Sequence, residues 1–154
     1  MADRETPPPA VIVSTATDLD PLLPLIAGYQ RFYRSEPSEV RNLAFFARFL
    51  PPHPAGMLLV AHQEGRAVGF ATLYWSQSSV SARDIVVLND LYVDAAARRH
   101  GVGGRLLEAA LAEATLRGAG ALRWMTAPDN AVARRVYDRL PARQSTWIEY
   151  SIER

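Results

Sequence analysis

The spacing of apolar residues changes several times along the chain, and each change marks an element. Ala10 to Ser14 is a β-branched run and predicts a first strand. Asp18, Asp20 and Pro21 form a helix start, followed by Leu22, Leu23, Leu25, Ile26, Tyr29, Phe32 and Tyr33 at helical spacing. Ser35 to Pro37 breaks the pattern. Ser38 then caps a second helix with Val40, Leu43, Phe46 and Leu50 on its apolar side, stopped by Pro51, Pro52 and Pro54. Met57 to His62 and Ala67 to Tyr74 read as two strands joined by a turn at Gln63 to Arg66. Ser76 to Arg83 is a polar loop, and Ile85 to Val93 a long strand interrupted only by Asn89 and Asp90. Gly103 to Arg117 repeats apolar residues at helical spacing, with Glu113 and Arg117 paired one turn apart. Ala121 to Thr126 is a strand, Asn130 to Leu140 a helix and Thr146 to Ile152 a last strand.

The order is strand, two helices, three strands, helix, strand, helix, strand. It defines a mixed α/β fold with an antiparallel meander followed by one crossover. At 154 residues, a single domain over 1–154 is expected, with 1–9 as a proline-rich flexible tail. No apolar run approaches the ~20 residues that span a bilayer, and Met1 to Ala10 has no apolar signal region. The expected setting is cytoplasmic, without a membrane partner.

Composition then removes whole classes of chemistry. There is no cysteine, so thiol nucleophiles and cysteine zinc sites are excluded. His53, His62 and His100 are too scattered for one local metal motif, and no metal is expected. All 17 basic residues are Arg, which excludes a phosphate-binding or Schiff-base lysine; Arg-only, Ala-rich usage is what a GC-rich genome produces. The net charge of +1 lacks the basic excess of a nucleic-acid binder.

Two motifs remain. Leu88 to Asp94 feeds a loop with Arg98, Arg99 and His100, then Gly101, Val102, Gly103 and Gly104 open a helix. A helix start presents unpaired N–H groups and the positive end of a dipole, and glycines let a phosphate reach that backbone. The pattern is R-x-x-G-x-G. It lacks the third glycine of a dinucleotide fingerprint and the lysine of a Walker loop, so it reads as a pyrophosphate cradle of another kind. Downstream, Asn130, Ala133 and Tyr137 form N-x-x-A-x-x-x-Y. Two helical turns separate Asn130 from Tyr137, so an amide and a phenol share one face with a small residue between them.

These motifs, at this separation and in this element order, resemble the GNAT superfamily of acyl-CoA N-acyltransferases. The resemblance implies the GNAT fold, a mostly antiparallel twisted sheet with helices on both faces, and acetyl-CoA as cofactor. It implies that Leu91, Tyr92, Val93, Arg98, Arg99, His100, Gly101, Val102, Gly103, Gly104, Asn130, Ala133 and Tyr137 contact the cofactor. Asn130 would meet the pantetheine arm. Tyr137 would protonate the departing thiolate, and a backbone N–H near Tyr92 or Val93 would meet the tetrahedral oxygen. Leu88 to Val93 is similar to the L-E-D-L-[FY]-V segment of the polyamine and related amine acetyltransferases. The Glu of that segment is Asn89 here, which cannot accept a proton. Asp90 is then the nearest base, and strand alternation sets it on the opposite face from Asn89.

The acceptor side implied by the resemblance draws on Tyr29, Phe32, Tyr33, Glu36, Tyr74, Trp75 and Trp147, with Tyr33, Glu36, Tyr74, Asn89 and Asp90 as the chief substrate residues. Aromatic rings with a carboxylate suit an amine. Three functions compete: acetylation of a small-molecule amine, acetylation of a protein or peptide, and a non-catalytic acyl-CoA sensor. Trp147, Ile148 and Tyr150 on the last strand invite pairing, and a homodimer is expected.

Overall fold

The computed structural model describes residues 9–154, so most of the proline-rich tail lies outside the described residues. One five-stranded sheet runs in the order β1 (Ile12–Thr15), β2 (Gly56–Gln63), β3 (Arg66–Ser78), β4 (Arg83–Val93) and β5 (Leu122–Arg123). The first four strands pair antiparallel and β5 joins β4 in parallel. The helices are α1 (Leu23–Phe32), α2 (Glu39–Phe46), α3 (Val102–Leu116) and α4 (Ala131–Tyr137). The mixed sheet with helices on both faces is the fold expected. Among the described residues no helix is long and apolar enough to cross a membrane.

Both faces of the sheet are buried, which is why β2 and β3 read as continuous apolar runs. On one face Leu73, Val86 and Leu88 pack against Val102, Leu106, Leu107 and Ala110 of α3. On the other, Leu58, Val60 and Phe70 pack against Leu22, Ile26, Phe46 and Phe49. Each fully buried Leu, Ile or Phe contributes about 1.5–3 kcal/mol, so the β2–β4 ladder is the rigid part of the molecule. Ser38 caps α2 through the Arg41 N–H at 3.4 Å, as its position in the sequence predicts.

Several expectations are corrected. The polar loop at Ser76 to Arg83 is half strand: β3 runs to Ser78 and β4 starts at Arg83, because long hairpin arms carry polar residues once they leave the core. The strand at Ala121 to Thr126 pairs only over Leu122–Arg123. Thr146 to Ile152 forms no strand. Its residues find no ladder partner in their own chain, and Trp147, Ile148, Tyr150 and Ile152 are 79–89% exposed.

Candidate active site

The turn into α3 is built from backbone. Gly101 caps the helix with φ +77°, a left-handed conformation that favours glycine, and Arg99 shares it with φ +68°. No side chain caps the helix, so its first-turn amides remain available. A Cβ placed on Gly101 or Gly104 would meet no protein atom within 4 Å, and on Gly103 only Val93 Cγ2 at 3.9 Å. Open space therefore stands over unpaired N–H groups at the positive end of a 15-residue helix. Arg98, Arg99 and His100 are exposed beside it. This open, donor-lined turn fits a diphosphate, the group the glycine pattern implies.

Arg98 also ties the turn to β4. Its Nε donates to Val93 O at 3.0 Å. Asp94 N–H bonds Val68 O on β3 at 2.8 Å, so by alternation Tyr92 also directs its N–H to β3. Leu91 and Val93 direct theirs to the opposite, open edge. Of the two positions expected for the backbone donor, Tyr92 and Val93, the strand pairing leaves the N–H of Val93 directed away from β3.

β4 carries a bulge in the middle of this edge. Thr72 faces Asp90 while Leu73 faces Leu88, which leaves Asn89 as the extra residue. The bulge overturns the alternation argument. Asn89 and Asp90 do not point apart: Asn89 Nδ2 donates to Asp90 Oδ1 at 3.0 Å and to Tyr74 Oη at 3.1 Å. Tyr29 Oη donates to the same Asp90 oxygen at 2.6 Å. Asp90 is 6% exposed, and among the described residues it has no ion pair. Burial, then the hydrogen bond to Asp90, pushes the Tyr29 phenol far above its ordinary value of 10.0. Burial, then the charge of Asp90, also raises Tyr74.

The parallel pairing of β4 with β5 ends at Val87 and Arg123, and beyond it the two strands splay. A cavity of about 60 Å³ fills the gap. Leu88, Asn89 and Leu91 line one side, Trp124, Met125 and Thr126 the other, and Tyr29 and Tyr33 of the α1 segment complete it together with Asn130, Ala133 and Tyr137. Asn130 Oδ1 caps α4 through Ala133 N–H at 3.2 Å, so its carbonyl is occupied. Its NH₂ group keeps two donors. Tyr137 packs edge-on against Trp124 with ring centres 5.6 Å apart, and burial raises its phenol pKa, with Tyr33 adding to the effect. A phenol with a raised pKa keeps its proton at neutral pH and can act as an acid.

The structure thus brings Tyr33, Asn89, Leu91, Asn130, Ala133 and Tyr137 to one cavity. Asp90 and Tyr74 join through hydrogen bonds. Tyr92 packs with Tyr29 and Phe70 on the far side of β4. Glu36 is exposed and is not among the residues that line the cavity. Trp75 donates to His53 O and stacks under Arg117 on the α3 side, and Trp147 is exposed. Neither lines the cavity. Sequence reasoning missed Leu88, Trp124, Met125 and Thr126. Their signal was topological: a strand after a crossover helix lies parallel to β4 and must diverge where β4 bulges.

Residues 23–140 match the family described as Acetyltransferase (GNAT) family. The chain is similar to the "Uncharacterized N-acetyltransferase YhfO" of Bacillus subtilis, 37% identical over 123 residues that cover 80% of this chain and 82% of that one. It is also similar to the "D-amino-acid N-acetyltransferase HPA3" of Saccharomyces cerevisiae, 35% identical over 115 residues, 73% of this chain and 71% of that one. A crystal structure of a probable acetyltransferase superposes with a TM-score of 0.80 at 31% identity, covering 94% of this chain and 97% of that one. With a fold, a helix-start cradle and a splayed-strand cavity in agreement, the chain belongs to the GNAT acetyltransferase family. It is an N-acetyltransferase, and the acetyl donor of this family is acetyl-CoA.

Proposed function

We propose that this enzyme acetylates the primary amine of a small molecule, within a single domain. The observation that carries the reading is the cavity itself. It joins a raised-pKa phenol, Tyr137, and a free amide donor, Asn130, to a side containing Tyr29, Tyr33 and Asn89. The name of the yeast relative, a D-amino-acid N-acetyltransferase, supports the amino-acid class among small amines.

The chemistry acetyl-CoA supplies is an activated thioester. On this reading the amides of Val102, Gly103 and Gly104, with Gly101 setting the turn, bind its diphosphate, and Arg98, Arg99 and His100 add charge and donors. Leu91, Tyr92 and Val93 would form the strand edge that holds its arm. Asn130 Nδ2 would donate to that arm, and Ala133 would keep the groove open. The Val93 N–H is the donor for developing negative charge on the carbonyl oxygen. Tyr137 Oη holds the proton that a leaving sulfur requires. Asp90 accepts the proton that an ammonium must lose, and Tyr74, Asn89 and Tyr33 shape the acceptor side.

The test is thiol release from acetyl-CoA across polyamines, both enantiomers of amino acids, aminoglycosides and basic peptides. Acceleration by one small amine supports the reading; acceleration by peptides alone overturns it. We further infer a homodimer. Trp147, Ile148, Tyr150 and Ile152 expose an apolar stretch that a second copy can cover. Light scattering should give twice the monomer mass, and removal of residues 144–154 should restore the monomer. A wild-type monomer at micromolar concentration contradicts this.

A further inference from the structure

Among the described residues Asp90 makes no ion pair, and the groups around it are arranged as a path. Tyr29 lines the cavity, while its hydroxyl donates to Asp90 Oδ1 at 2.6 Å. Asp90 itself is 94% enclosed and is not among the cavity-lining residues. Tyr29 therefore touches both the cavity and the carboxylate. Gly28 leaves room beside Tyr29 for the Tyr92 side chain, since a Cβ on it would lie 2.6 Å from Tyr92 Oη. The ring is fixed by edge contacts to Phe70 and Tyr92, with centres 5.8 and 6.2 Å away.

We propose that Tyr29 is a catalytic proton relay: its Oη takes the proton from the acceptor ammonium while passing its own to Asp90 Oδ1. One N–H bond breaks and one O–H bond forms at Tyr29. The original Tyr29 O–H breaks as an O–H forms on Asp90. The amine ends neutral and nucleophilic, Tyr29 ends as a phenol again, and Asp90 ends as a neutral carboxylic acid. The raised phenol pKa fits this, because the oxygen exchanges one proton for another and never rests as a phenolate. Asn89 Nδ2, donating to the same oxygen, holds the carboxylate in register. Among the described residues the other titratable or charged groups facing this cluster are Tyr33 just after α1, Tyr74 on β3, Tyr92 on β4, Tyr137 on α4 and Arg48, which acts on Tyr74. The inference rests on the amine-acetylation reading above and supplies what that reading lacks, a route to an enclosed base.

The test compares Tyr29→Phe, Asp90→Asn and the double variant, with both kinetics and ¹³C NMR of ring-labelled tyrosine. Tyr29→Phe keeps the ring contacts but leaves a buried carboxylate one donor short, so the melting temperature should fall by a few degrees while CoA affinity stays within experimental scatter. Its kcat should fall about 10²-fold, the scale of a lost acid–base group, with KM for the amine little changed. The double variant should be no slower than the slower single variant, since both remove one path. In NMR, the signal lost in Tyr29→Phe should resist titration well past pH 10 in the wild type and titrate at lower pH in Asp90→Asn. Wild-type kcat in Tyr29→Phe beside an impaired Asp90→Asn overturns the relay and leaves Asp90 as a direct base. Full activity in both variants removes Asp90 and the relay together. A wild type that acetylates no amine overturns the parent reading. An ordinary Tyr29 titration, unmoved by Asp90→Asn, overturns the relay whatever the kinetics.

Discussion

The β2–β4 ladder and the segment after β5 are held in very different ways. The ladder carries Leu58, Phe70, Leu73 and Val86 at 0–1% exposure between two helical layers. After β5, α4 has no buried residue, and 141–154 has no regular structure and stays exposed. Yet Asn130 and Tyr137 sit on α4, opposite Asn89 and Tyr29 on the rigid half. One wall of the site is fixed by the core and the other is lightly held. A lightly held wall allows entry and release, and ligands that bridge both walls stabilise it.

The comparison is broken most sharply at Tyr137. Tyr137→Phe should lower kcat for acetyl transfer by about 10²–10⁴-fold while CoA affinity, read by calorimetry, stays within twofold. Equal losses in both would make Tyr137 part of the binding wall only. Stability should show the reverse pattern. Phe70→Ala should cost about 3–5 kcal/mol in urea unfolding, and Val132→Ala on the exposed face of α4 less than about 0.5 kcal/mol. Similar costs would mean that the two halves are equally anchored.

A smaller effect tests the cradle between the halves. Gly104→Asp sets a carboxylate over open amides, so CoA affinity should weaken at least about tenfold, or roughly 1.4 kcal/mol, with the melting temperature little changed. Unchanged affinity removes the diphosphate from this turn. The smallest effect is alkaline. Tyr29, Tyr74 and Tyr137 all hold their protons above the ordinary value of 10.0. The unfolded chain therefore loses these protons first as pH rises past 10. Their contribution is fully present below pH 10 and is lost progressively above it. Tyr29→Phe should flatten that decline in denaturation midpoints between pH 9 and 11; an unaltered slope places the Tyr29 proton outside the balance.

Legibility in the sequence follows the same division. The ladder was readable because burial on both faces leaves apolar runs, and α3 because its stripe and glycines mark face and start. Asn130 and Tyr137 were readable because two helical turns align them whatever lies opposite. What escaped depends on long-range geometry. A bulge at Asn89 leaves no mark in composition, so alternation misplaced Asp90. The cavity wall at Trp124 to Thr126 exists only because β5 leaves β4. Glu36 is not among the residues that line the cavity, and a carboxylate in a loop says nothing about which way the loop turns. Thr146 to Ile152 has strand chemistry but no partner strand within its own chain.

The most direct measurement is a crystal structure with coenzyme A. The diphosphate should lie within hydrogen-bond distance of the amides of Val102 to Gly104, with the sulfur inside the splayed-strand cavity near Tyr137 Oη. A diphosphate elsewhere, or a sulfur outside that cavity, contradicts the assignment.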